Sequence, residues 1–435
     1  MRHLSRRSLF TGAGAIAGTS ALAACGGVAG GGGGIADGGV RYAFWGNNVR
    51  QQNYQEAFDL MEQQNEDLTL TVEFAEYSAF QERMTTQMAA GNVADIFWIP
   101  SAQVMTYYAN GLYRPLDSVG SLDLSDYSEQ DIEDFSLDGE HNTMPFGIFV
   151  PVIRYNATFA EEDGVDWPES WDWDGFAEFA KDYSSNTEDR WAVAYAADAD
   201  LPFEGWLRQH GEQLWTEDGR IGYTQEGLES WFAWWEDLRE AGATPSIGEQ
   251  DGVAAGWEDV GDRCLAWFSN SNHIVDDATM FPDFEFGLSH LPVDPSAPEG
   301  HQFLYYPRQA IYADASDEKA ELAGEVFNFT HGTVDMLKIV GLTMGAPVNP
   351  RVTEEYREFA SDNEKKMLDV VTEDRDVDRQ PRYEAPAGSS TWRTVMTRVL
   401  EEITSGSSTI PEGAADMIAE INQGIDRAAS GEEDG

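Results

Sequence analysis

The chain has 435 residues, with 78 Asp and Glu against 27 Lys and Arg and a formal net charge of -51. A surface this acidic meets every phosphate with like charge, which excludes nucleic acid and anionic lipid headgroups as partners. The length calls for two domains, and an apolar fraction of 42% with 12% aromatic residues is enough to build packed cores rather than a disordered chain. The acids are spread along the whole chain and lysine occurs five times against 22 arginines, a pattern that points to life in concentrated salt, where screening removes self-repulsion. Two cysteines, Cys25 and Cys264, leave no disulfide framework, and Cys264 in DRCLAWF reads as a buried small hydrophobe.

Residues 1–24 have the layout of an export signal. Arg6 and Arg7 in SRRSLF precede the mildly apolar run TGAGAIAGTSALAA, which is shorter than the ~20 residues a spanning helix needs. Paired arginines before a weakly hydrophobic run resemble the twin-arginine signal. The following LAAC resembles the lipobox of lipoproteins, which implies that Cys25 carries a lipid anchor and that residues 25–39 form a glycine-rich tether of roughly 20 Å reach. An ordinary cleaved signal, with Cys25 incidental, is the alternative. GAGAIA at 12–17 satisfies G-x-G-x-x-A, but no strand precedes it, so a dinucleotide site is not expected.

The mature chain opens with VRYAFW as a strand, NVRQQNYQEAFDLMEQQNE with helical spacing and DLTLTVEF in strict alternation. AFQERMTTQMAAG then reads as a helix ending at Gly91, and ADIFWIP as a third strand. This β-α-β-α-β order implies parallel strands, and ligands of such sheets bind beyond the carboxyl ends of the strands. A second unit begins near MPFGIFVPVIRYN. In it SWDWDGFAEFAKDY reads as a helix capped at Ser170 or Asp172, WAVAYAA as a strand, GLESWFAWWEDLREAGA as an amphipathic helix closed by Gly242, and DRCLAWFSN as a strand. QFLYYPRQAIYAD reads as a further strand, followed by helices to the C-terminus.

These blocks, in this order, resemble the extracellular solute-binding proteins of ABC importers, the family that includes maltose- and glycerol-phosphate-binding proteins. ADIFWIPSAQVMTYYANGLYRPLD is similar to the family's third strand and next helix, and MPFGIFVPVIRYN to its first hinge crossing. PESWDWDGFAEFAKDY, the long block from WLRQHGEQLW to EAGATP, GDRCLAWFSNSNHI, MGAPVNPRV and SSTIPEGAADMIAEINQGIDR continue the likeness over nearly all of residues 40–427. The first loop, FWGNN, lacks the acidic or lysine residues that some sugar-binding members place there. The resemblance implies a two-lobed α/β fold of the type II periplasmic-binding-protein kind, with three hinge crossings and a cleft between the lobes. Residues 40–148 plus 303–348 would form the N-terminal lobe, and 149–302 plus 349–430 the C-terminal lobe. It further implies a monomeric, cofactor-free receptor that closes on a solute, most readily a sugar or oligosaccharide, and docks on an ABC permease.

Sugars present apolar C–H faces rimmed by hydroxyls, so their sites need aromatic planes beside amides, carboxylates and guanidinium groups. The candidates at strand ends and in the similar loops are Trp45, Asn47, Asn48, Tyr77, Ser101, Trp206, Arg208, Asn270 and Asn272, with Phe149, Tyr305, Tyr306 and Arg308 near the hinge crossings. Trp45 and Trp98 could equally face the buried side of the sheet, and Arg308 either takes an anionic ligand or makes an internal ion pair. Trp231, Trp234 and Trp235 lie at core spacing on one helix. No GxSxG, HExxH or P-loop motif occurs, the histidines show no metal-ligand spacing, and no metal is expected. Asn156 and Asn328 open glycosylation sequons. A secreted glycoside hydrolase and a receptor for a glycerol phosphodiester, polyol or peptide are the competing readings.

Overall fold

The computed structural model describes residues 39–66, 68–187, 189–253 and 263–430. The export signal, Cys25, the motif at 12–17 and all of the tether but its last residue lie outside the described residues. Strand β1 (Gly39–Trp45) pairs in parallel with β2 (Thr69–Ala75), from Gly39 opposite Thr69 to Trp45 opposite Ala75, and with β3 (Ile96–Ile99) through Tyr42 and Ile96. The helices Asn48–Gln64 and Tyr77–Ala89 connect them, as the sequence pattern predicts. β1 is central and covered on both faces, so nearly all its side chains are buried, whereas β2 at the sheet edge keeps an exposed residue between buried ones. β4 (Met144–Pro145) and β9 (Arg308–Ile311) complete a five-stranded sheet in the order β2-β1-β3-β9-β4, β9 running antiparallel to both its neighbours.

A four-stranded sheet, β6-β7-β5-β8, follows. It consists of β5 (Pro151–Asn156), β6 (Trp191–Val193), β7 (Cys264–Asn270) and β8 (Phe286–His290). The helix Trp173–Asn186 starts where its cap predicts, because Asp172 accepts from the Gly175 amide at 2.7 Å. On one face of this sheet lies a core built on the helices Trp173–Asn186, Gln225–Glu240, Trp392–Thr404 and Ile410–Ser430. Trp231 and Trp235 are completely buried there, which is what their spacing indicates. Cys264 is buried too, with its side chain in the other core.

The chain passes between the sheets along 146–150 and returns along 291–307. It crosses again after the helix Val334–Val340, which packs on the helix Asn48–Gln64. Isolated bridges join Phe149 to Tyr305 and Ile148 to Ala346, so the three crossing segments lie side by side. The expected QFLYYPRQAIYAD strand is therefore split: 302–307 belongs to a crossing and only Arg308–Ile311 to the sheet. The third crossing also finishes later than the sequence suggests. Asn349 Nδ2 and Arg351 Nε reach back to Asp126 at 2.9 and 3.0 Å, and the chain settles on the second sheet only with the helix Asp362–Arg375, where Asn363 donates to Ile274 O at 3.1 Å.

Both sequon asparagines are engaged in hydrogen bonds within the protein. Asn156 is buried and caps the helix Ala157–Glu162 by accepting from the Phe159 amide at 3.0 Å, while Asn328 donates to Ser121 O and accepts from the Asp123 amide, both at 2.8 Å.

Candidate functional site

The carboxyl ends of β1, β2 and β3 open toward the crossing segments. Trp45, the last residue of β1, is half-buried in an aromatic group: Tyr77, Phe80 and Trp98 meet its ring edge-on at 5.3, 5.2 and 5.1 Å. Trp98 faces inward, completely buried, stacked on Phe146 at 4.0 Å and donating to the Tyr42 hydroxyl at 3.0 Å. Asn47 caps the helix Asn48–Gln64 by accepting from the Arg50 amide at 2.9 Å, and Arg50 folds back toward Trp45 O. Asn48, at the first position of that helix, is exposed.

Tyr77 opens the helix Tyr77–Ala89 and is 43% exposed. Loss of surrounding water raises its hydroxyl pKa, and Asp200 raises it further while Ser101 and Arg393 pull it down. The same partners recur at Tyr305: burial raises its hydroxyl pKa most, Glu384 and Asp200 add to this, and Arg382 and Ser101 oppose it. Arg393 is likewise 67% exposed at its side chain and pairs with Asp198 at 3.5 Å. Burial works against its charge, but Asp198 and Asp200 outweigh that and raise its pKa. Tyr77 and Ser101 belong to the first sheet's side. Asp198, Asp200 and Arg393 stand at or beside the amino ends of helices on the second, Asp200–Gln209 and Trp392–Thr404. Groups from both sides thus share one electrostatic neighbourhood.

His273 adds to this neighbourhood. Its Nδ1 lies 2.8 Å from Ser269 Oγ, which also accepts from Arg154 Nε at 3.1 Å. Burial, then the nearby charges of Arg154, Arg50 and Arg393, push its pKa well below the usual histidine value, so the imidazole is neutral.

Of the residues singled out in the sequence, Trp45, Tyr77, Ser101, Phe149 and Tyr305 come together here. Asn270 ends β7 opposite Pro151, and Asn272 is buried, its Nδ2 donating to Thr343 O at 2.8 Å on the third crossing. The others have internal work. Trp206 is buried among Trp173, Trp231 and His210, with ring centroids at 4.8, 5.6 and 4.6 Å. Arg208 is buried and donates to the carbonyls of Gly300, His301, Gln302, Gln380 and Pro381, tying two loops together. Arg308 pairs with Glu384 at 2.9 Å and donates to Thr143 Oγ1 and the carbonyls of Asp134 and Phe135, so its charge is met inside the protein. Tyr306 donates to Asp134 Oδ2 at 2.9 Å. Asp198, Asp200, Arg393 and His273 escaped the sequence reading. Asp198 and Asp200 are two acids among 78, and Arg393 sits some two hundred residues from its partners in the chain.

Residues 56–366 match the family described as bacterial extracellular solute-binding protein. The chain belongs to that family. An extracellular solute-binding protein of family 1 from Alicyclobacillus acidocaldarius is 21% identical, covers 88% of this chain and 98% of its own, and superposes with a TM-score of 0.67. A periplasmic oligogalacturonide binding protein from Yersinia enterocolitica, in complex with saturated digalacturonic acid, is 16% identical with a TM-score of 0.77, over 90% of this chain and 99% of its own. An ABC substrate-binding protein from Listeria monocytogenes, in complex with cycloalternan, is 16% identical with a TM-score of 0.71, over 88% and 98%. These likenesses show the fold of two-lobed solute-binding proteins, and the two sheets with their crossing segments are its framework. Membership implies that this solute-binding protein works outside the cytoplasm. Among the described residues no helix is long and apolar enough to cross a membrane, and no group of His, Cys, Asp and Glu could hold a metal ion.

Proposed function

We propose that this solute-binding protein captures a sugar or oligosaccharide between its lobes and delivers it to an ABC permease. The observation that carries the reading is the pairing of aromatic rings with hydroxyl, carboxylate and guanidinium groups around Tyr77. Trp45 and Tyr77 can meet apolar sugar faces, and the Tyr305 hydroxyl with Ser101, Asp198, Asp200 and Arg393 can exchange hydrogen bonds with the hydroxyl rim. The sugars bound by the Yersinia and Listeria proteins support it. The first sheet with the chain packed on it would move as one lobe against the second, closing because the solute touches both. The receptor is held at the outer face of the membrane through Cys25 after twin-arginine export, acts as a monomer and is adapted to concentrated salt.

Thermal unfolding against a panel of malto-oligosaccharides, digalacturonate, glycerol phosphodiesters and peptides, in about 0.1 M and molar potassium chloride, tests the reading. The ligand-free midpoint should rise with salt, and one saccharide class should raise it further by mass action. A shift with peptides or phosphodiesters and none with any saccharide would sink the sugar reading.

A further inference from the structure

Apart from the two main cores, Phe149, Leu201, Phe303 and Tyr305 form a small apolar cluster where the chain passes between the sheets. The Tyr305 ring stacks on Phe149 at 4.8 Å, and the backbones of the two residues exchange hydrogen bonds of 2.9 and 3.2 Å. The Arg382 guanidinium lies over the Tyr305 ring at 4.9 Å and over Phe303 at 5.7 Å. Arg382 stands in an irregular stretch with no sheet or helix to hold it. Side chains hold it instead: Nη2 meets Glu204 at 3.0 Å, Nη1 meets Glu384 at 3.4 Å, and Glu384 is held in turn by Arg308 at 2.9 Å.

Charges therefore alternate from Glu204, on the helix Asp200–Gln209 beside the second sheet, through Arg382 and Glu384 to Arg308 on β9 of the first. All four side chains are nearly buried, with exposures between 3% and 15%. Taking four charges out of water is costly, and a chain with so few cations commits two of them here. The guanidinium suits the place, since its planar fork can pair with carboxylates at its edge while its face covers an aromatic ring.

We propose that Arg382 is a positioning residue of the solute cleft, clamping the Tyr305 ring so that its hydroxyl stands near Ser101 and Asp200 and tying the two lobes together at the crossing. This rests on the reading of Tyr305 as a cleft wall. Fluorotyrosine labelling with ¹⁹F NMR tests it without a ligand, the Tyr305 resonance being assigned by its loss in Tyr305→Phe. In Arg382→Gln that resonance should shift and broaden while tyrosines remote from the cluster keep theirs. In Arg382→Lys, which keeps the charge without the fork, it should shift measurably but by less. Any saccharide that binds in the panel should bind Arg382→Gln about tenfold more weakly. A Tyr305 resonance unchanged in folded Arg382→Gln would overturn the proposal, and so would one unchanged in Arg382→Lys if the glutamine variant fails to fold. Failure of every saccharide to bind would remove the sugar reading and leave the resonance result to decide this one.

Discussion

His331 shows how much one buried side chain can make stability depend on pH. Trp98 donates to the Tyr42 hydroxyl, Tyr42 to Gln309 Oε1 at 2.6 Å, and Gln309 Nε2 to His331 Nε2 at 2.6 Å. The relay makes Nε2 the acceptor and puts the imidazole proton on Nδ1. Burial pushes the pKa of His331 down to about 3. The unfolded chain takes up this proton near pH 6.5, so below that pH it binds more protons than the native state. The contribution is complete above pH 6.5 and is lost as pH falls toward the native value. Comparing urea unfolding at pH 7 and pH 5, the loss of stability should be smaller in His331→Gln than in wild type by about 2 kcal/mol. Equal losses in the two proteins would mean that His331 is solvated.

Among the elements, the crossing segments depend on backbone approach more than on side chains. Ile148 and Ala346 exchange hydrogen bonds of 2.8 and 2.7 Å, and a Cβ on the neighbouring Gly147 would fall 1.9 Å from Met344 O. Gly345, at φ +104°, completes the contact. Gly147→Ala must push the first and third crossings apart, and overpacking of this kind costs about 1–3 kcal/mol. The urea midpoint should fall accordingly, and an unchanged midpoint would show that the crossings are not in contact in solution. Regular elements announce themselves through local signals, as Asp172 does at its helix start and Gly242 at its helix end, where φ is +74°. The helix Asp200–Gln209 went unread because it is short and contains Pro202 and Gly205, two residues of low helix propensity. Asp200 and Glu204 went with it.

At the scale of the whole molecule, several of the scarce cations turn inward, as in the pairs Arg41 with Glu73, Arg375 with Asp131 and Arg382 with Glu204, while most acids remain in solvent. A receptor with this surface is repelled by anionic headgroups, so it stays at a membrane only if something holds it there. Cys25→Ser tests the proposed anchor: wild type should sediment with the membrane fraction, and the variant should be released into the medium. A variant that stays with the membranes would undo the anchor.

By itself the sequence determined the strand order β-α-β-α-β, the helices Asn48–Gln64, Tyr77–Ala89, Trp173–Asn186 and Gln225–Glu240 and the family, because caps, periodicity and ordered blocks are local or linear signals. It also marked Trp45, Tyr77 and Ser101, since strand ends can be found by counting. Tertiary structure decided the rest. Whether an arginine is available to a solute depends on which carbonyls and carboxylates reach it from distant parts of the chain. That is why Arg208 and Arg308 proved internal, why Arg393 pairs with Asp198 across some two hundred residues of chain, and why Arg382 lies over Tyr305.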